Sequence, residues 1–95
     1  MIRVVATFNL KPNQLDNALT VAKELIALTR KEEGCVHYDL AQAAQNESVL
    51  VILEAWESQE ALDVHSASEH FGRLVPQLAA LCVTPPAVES FTQLI

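Results

Sequence analysis

Glycine is almost missing from this sequence: Gly34 and Gly72 are the only two in 95 residues. Phosphate cradles of the G-x-G-x-x-G or Walker type need several glycines in one loop, so nucleotide cofactors held that way are disfavoured. Cysteine is equally scarce, with Cys35 and Cys82 alone and no C-x2-C. No H-x3-H pair lies on one predicted helix either, so zinc-site spacings are absent and no metal is expected. A G-x-S-x-G elbow, the mark of many serine hydrolases, is lacking. Basic residues are few. Six Lys and Arg against twelve Asp and Glu leave a net charge of −6. The six (Arg3, Lys11, Lys23, Arg30, Lys31 and Arg73) are scattered and form no stripe. An acidic surface repels phosphate backbones and anionic headgroups, so no nucleic-acid or membrane partner is expected. No apolar run reaches the roughly 20 residues that span a bilayer. Met1 to Leu10 lacks the order of a signal peptide. The expected location is the cytoplasm, where both cysteines stay reduced and act as small apolar residues.

What the chain does have is apolar surface. Hydrophobic residues make up 51% and charged residues 19%, against about a quarter charged in ordinary soluble domains. One domain over residues 1–95 is expected. A domain this small buries only part of its surface. The excess therefore points to an apolar pocket, a partner surface, or both.

The pattern along the chain alternates between strand and helix periods. From Ile2 to Leu10, Ile2, Val4, Ala6, Phe8 and Leu10 fall on one face. Lys11-Pro12-Asn13 breaks this strand, with Asn13 the expected N-cap of a helix over 14–32. Leu15, Ala18, Leu19, Ala22, Leu25 and Ile26 form its apolar stripe, and Gly34 suits the left-handed position after its end. Val36 to Ala43 reads as a second strand and 43–47 as a turn. Ser48 to Glu57 is the strongest strand. Its two faces, Val49, Val51, Leu53, Ala55 and Leu50, Ile52, Glu54, Trp56, are both largely apolar, as in a central strand covered on each side. Ser58 opens a short helix to His65. The run Ser66-Ala67-Ser68-Glu69 fits a capping box for the next helix, which carries Phe71, Leu74, Val75, Leu78 and Leu81. Pro76 lies inside it and predicts a kink. Pro85-Pro86 ends it, and Val88 to Ile95 reads as the last strand.

This β-α-β-β-α-β order predicts an α+β, ferredoxin-like fold: a four-stranded antiparallel sheet with its helices on one face. Opposite-parity apolar residues on three strands would leave the other face as a patch that monomers rarely tolerate. A homodimer joined through that sheet face, a dimeric α+β barrel, covers it.

The polar residues set into apolar elements are the site candidates. Glu54 and Trp56 share a strand face, followed by His65 and His70 in the pattern Glu54-x-Trp56-x8-His65-x4-His70. A partly buried carboxylate has a raised pKa, and histidine trades protons near neutrality. Tyr38, Trp56 and Phe71 can wall an apolar pocket, and Asn9 ends the first strand. Each also has a structural reading, as core, interface or surface residue. A facial metal triad of His65, His70 and Glu54 is disfavoured.

The stretch Val49-Leu50-Val51-Ile52-Leu53-Glu54-Ala55-Trp56, then Glu57-Ser58-Gln59-Glu60-Ala61-Leu62, His65 and Ser68-Glu69-His70-Phe71, resembles the antibiotic-biosynthesis-monooxygenase (ABM) family. Lys31-Glu32-Glu33-Gly34-Cys35-Val36-His37-Tyr38-Asp39 is similar to that family's second-strand pattern. The resemblance spans Ile2 to Leu94. It implies a ferredoxin-like dimer with a pocket between sheet and helices in each subunit. It also implies oxidation of a small quinol or aromatic polyketide-like substrate by O2 without metal, flavin or other cofactor. Carried onto this chain, His65 or His70 is the base, Trp56, Tyr38 and Phe71 shape the pocket, and Glu54 and Asn9 orient substrate or a histidine. A haem-degrading branch needs a histidine one turn after Phe71, and Gly72 to Gln77 has none. A branch that isomerises the phosphorylated autoinducer-2 signal resembles Phe8-Asn9-Leu10-Lys11 and the His65…His70 spacing, with Lys11 and Arg73 as the only candidate phosphate clamp. A ligand-binding dimer without catalysis is the third alternative.

Overall fold

The computed structural model describes residues Met1–Ile95. The elements are β1 (Ile2–Asn9), α1 (Leu15–Thr29), β2 (Cys35–Ala43), β3 (Asn46–Trp56), α2 (Gln59–Ser66), α3 (Glu69–Ala80) and β4 (Ala87–Thr92). One sheet forms with strand order β2-β3-β1-β4, and every neighbouring pair is antiparallel. β1 and β2, joined through α1, both pair with β3. That split arrangement is ferredoxin-like. The second helical segment is two helices, because the chain breaks at Ala67 and Ser68.

Period-two alternation decides the faces. Val4, Ala6 and Phe8 pair with Glu54, Ile52 and Leu50, and all six are buried. Ala18, Ala22 and Leu25 of α1, with Leu62 of α2 and Leu74 and Leu78 of α3, close over this face. Burying a side chain such as Ile52 or Leu25 stabilises the fold by roughly 1.5–3 kcal/mol. The other face is open in the chain. Val5, Thr7 and Val51 are half-buried there, and Leu53 and Phe91 are 39% and 46% exposed. No helix is long and apolar enough to cross a membrane.

Several local expectations fail. Asn13 is not the N-cap. It takes a left-handed φ of 64° in the turn, which Asn tolerates, and Gln14 caps α1 without a side-chain bond. α1 ends at Thr29 instead of Glu32, because 31–33 turn away through bonds from Glu32 N to Thr29 O and Cys35 N to Glu32 O. The hairpin turn is only Ala44-Gln45, since pairing resumes at Ala43 and Asn46. Ser66 is not a cap: its hydroxyl donates to Leu62 O, while Ser68 accepts from Phe71 N and caps α3. β4 is Ala87–Thr92 and stops short of Ile95; beyond it, Gln93 N instead bonds Met1 O. At Pro76, where a kink is expected, α3 continues to Ala80. Gly72 and Pro76 are both exposed, so water can take the carbonyl bond that proline cannot make.

Gly34 has two constraints. Its φ is +84°, and a Cβ there would meet Ala61 Cβ at 2.6 Å. Its carbonyl accepts from Glu57 N. This close approach locks the turn after α1 against the start of α2.

Candidate active site

A cavity of about 180 Å³ lies between the sheet and the helices. The sheet floor is Val4, Ala6, Phe8 and Ile52, with Leu25 of α1 and Phe71 and Val75 of α3 opposite. Three buried titratable groups break this apolar lining: Tyr38, Glu54 and His65. Exposed lining residues, Gln59, Asp63 and Ser66 on α2 and Val88 and Ser90 on β4, form the rim. Strand parity explains the floor: Val4, Glu54 and Tyr38 stand in one row across three strands.

His65 is the most constrained of the three. Its side chain is 2% exposed, and its Nδ1 lies 2.6 Å from Glu32 Oε2. His70 Nε2 reaches the same oxygen at 2.8 Å. A carboxylate can only accept, so both imidazoles donate to it. That leaves Nε2 of His65 as the lone-pair nitrogen, and it is buried with no hydrogen-bond partner. Burial lowers the His65 pKa, and the Glu32 hydrogen bond and charge oppose that shift. The ring is therefore a neutral base at neutral pH, with Glu32 positioned to stabilise its protonated form. Trp56 packs on it at 4.7 Å between ring centroids, and Tyr38 and Phe71 stand edge-on at 5.3 and 5.2 Å.

Glu54 is buried, and one oxygen accepts from Trp56 Nε1 at 2.9 Å. Burial raises its pKa above the usual carboxylate range, the indole bond works against the rise, and the Glu32 charge adds to it. Burial likewise raises the Tyr38 phenol, which stays neutral. Burial, with Glu32 and Glu54 nearby, pushes the Cys35 thiol up to about 11. It is no nucleophile at neutral pH.

The structure brings His65, Glu54, Tyr38 and Phe71 to one cavity. Trp56 is fully buried and stands behind His65 and Glu54, off the cavity wall. His70 is not on the wall either; it braces Glu32 and lies 3.3 Å from Ser68 Oγ. Asn9 falls away from the site. It shares β1 parity with Val5 and Thr7, on the face opposite Phe8, and its carbonyl accepts from Val83 N. Glu32 went unrecognised as a functional residue. It sits in the Lys31-Glu32-Glu33-Gly34 run, and nothing in spacing announces contacts 33 and 38 residues away.

Glu32, His65 and His70 could also hold a metal, since their ligand atoms all lie within 4.8 Å of one another. Two ligands at about 2.0 Å from a tetrahedral ion stand roughly 3.3 Å apart. The 2.6 and 2.8 Å separations are those of hydrogen bonds.

A ferredoxin-like α+β protein with a histidine–carboxylate pair at an apolar cavity is the class that fold and site define. The sequence profile of the antibiotic biosynthesis monooxygenase family matches residues 1–77. The chain belongs to this family. YcnE of Bacillus subtilis (strain 168), which carries monooxygenase as a provisional name, is 32% identical over 85 residues, covering 90% of each chain. The crystal structure of an antibiotic biosynthesis monooxygenase is 35% identical, with a TM-score of 0.93 and 100% of both chains covered. Rv0793 from Mycobacterium tuberculosis has a TM-score of 0.92 at 32% identity, covering 99% of this chain and 95% of its own.

Proposed function

We propose that this chain is a cofactor-independent monooxygenase of a small quinol or related hydroxyarene, with His65 as its base. The observation that carries the proposal is the division of labour in the His65 ring. Nδ1 is committed to Glu32, while Nε2 is buried without a partner in a residue that lines the cavity. Nε2 takes the proton of a substrate hydroxyl, and Glu32 stabilises the imidazolium that forms. The resulting anion is electron-rich and reduces O2 directly. One oxygen atom enters the ring and the other leaves as water, with the His65 proton returned to the departing oxygen. The quinol supplies all the electrons and ends as a hydroxyquinone, so no further reductant is needed. The dry wall keeps the anion reactive. Glu54, held toward its acid form, can donate to a substrate oxygen.

The phosphosugar isomerase alternative is less well supported, because no Lys or Arg lines the cavity. Lys11 is bonded to Ala80 O, and Arg73 is paired with Glu24 and Glu69. Oxygen uptake with single-ring quinols above the autoxidation blank, lost in His65→Ala and in the His65→Ala/His70→Ala double variant, is the expected result. Uptake equal to the blank in the wild type defeats the oxygenase proposal and leaves ligand binding without catalysis.

The working unit we propose is a homodimer joined through the open sheet face. Its support is the apolar strip of Val5, Val51, Leu53 and Phe91, which water would otherwise cover.

A further inference from the structure

We propose that the cavity accepts a single aromatic ring and excludes fused two-ring substrates, and that Phe71 sets this limit. The inference deepens the monooxygenase proposal by naming its substrate class: monocyclic phenols and quinols.

Volume is the first ground. An apolar cavity of about 150 Å³ holds one benzene. The 180 Å³ here exceeds that by roughly the 30 Å³ share of one liquid water. That is room for a ring and a hydroxyl. It also lies below the roughly 300–1,000 Å³ usual for small-molecule pockets, so a ligand larger than one ring has little room.

Geometry is the second ground. The sheet floor and Leu25 belong to the packed core and cannot retreat without opening it. Phe71 lies outside that fully buried set, half-buried on the first turn of α3. Its ring stands at 84° to His65 with 5.2 Å between centroids, and both residues line the cavity, so Phe71 bounds the space beside the His65 ring. Val75, one turn on, continues the same wall. Truncating Phe71 adds about one ring of space beside His65. Enlarging Val75 removes it.

Isothermal titration calorimetry with phenol and 2-naphthol under nitrogen tests this without any turnover. A second fused ring adds apolar surface, which alone would favour 2-naphthol. A wild type that binds phenol roughly tenfold or more tightly than 2-naphthol therefore reports exclusion by size. Phe71→Ala is expected to abolish or reverse that preference, and Val75→Phe to weaken phenol roughly tenfold. If Phe71→Ala loses cooperative thermal unfolding, Phe71→Leu carries the same comparison. The inference is overturned if the wild type binds 2-naphthol as tightly as phenol, if it binds neither, or if a folded Phe71 variant keeps the wild-type preference. A protein that selects phenol yet consumes no oxygen keeps the size limit and loses the monooxygenase proposal.

Discussion

Glu32 and His65 meet at 2.6 Å, Oε2 to Nδ1, across 33 residues of chain. Glu32 does not line the apolar cavity, so the role proposed for it runs through the ring it holds. Glu32→Gln is expected to lower kcat by about 10² or more, the usual worth of a positioned base, with little change in KM. Both the Glu32 hydrogen bond and its charge raise the His65 pKa. Their loss should move the acid limb of the pH–rate profile to lower pH. A kcat loss with an unmoved limb would reduce Glu32 to a packing role.

The same ring makes stability depend on pH. His65 has a folded pKa below its ordinary 6.5, so the unfolded chain binds the proton first as pH falls. Stability from His65 is then complete above 6.5 and is lost on acidification through and below that value, down to the folded pKa. Urea melts from pH 8 to pH 5 should show the decline. In His65→Asn, whose amide can still donate to Glu32, this component should disappear.

Glu54 gives the opposite sign. Its folded pKa lies above the ordinary 4.5, so the folded state holds the proton more tightly. Stability falls as pH rises from 4.5 through the folded pKa. Glu54→Gln removes that charge and keeps an oxygen for Trp56 Nε1. Its Tm should exceed that of the wild type at pH 8, with the gap closing toward pH 4.5. A Tm difference that does not vary with pH would refute the buried-acid assignment.

Gly34→Ala should destabilise by about 1–3 kcal/mol from the left-handed φ alone, and more from the 2.6 Å clash with Ala61. Because Gly34 fixes the turn that carries Glu32, kcat should fall in the protein that remains folded. Chemical denaturation and steady-state kinetics on the same sample separate the two losses.

A charge on the open face should disrupt the proposed dimer. Leu53 is 39% exposed in the single chain, so Leu53→Glu should leave the monomer fold intact while sedimentation velocity shows a shift to monomer. An unchanged sedimentation coefficient would place the dimer contact elsewhere, or leave the protein a monomer.

Periodicity made the fold legible. Alternation in Ile2 to Leu10, with the i, i+4, i+7 stripe of α1, stated which residues face inward, because side-chain direction follows from backbone period alone; in Ser48 to Glu57 it separated two faces that are both apolar. It also put Glu54 and Trp56 on one face; the strand register then set Tyr38 opposite Glu54. The caps were less legible. Ser66 and Ser68 both offer a hydroxyl, and which one meets a free N–H depends on where α2 stops. Asn9 misled because its position at the end of β1 does not reveal the face it occupies relative to the cavity.

What the sequence determined by itself was therefore what local chemistry sets: element type, core faces, acidic charge, the lack of glycine-rich and cysteine-pair motifs, and the resemblance through Glu54, Trp56, His65 and His70. Only the tertiary structure decided which histidine lines the cavity. His65 and His70 look equivalent in sequence, five residues apart. Folding buries one against the cavity and turns the other behind a glutamate from a distant turn. A shared carboxylate, an unpartnered nitrogen and a cavity of about 180 Å³ are properties of groups brought together across the chain, and no local pattern encodes the distance between them.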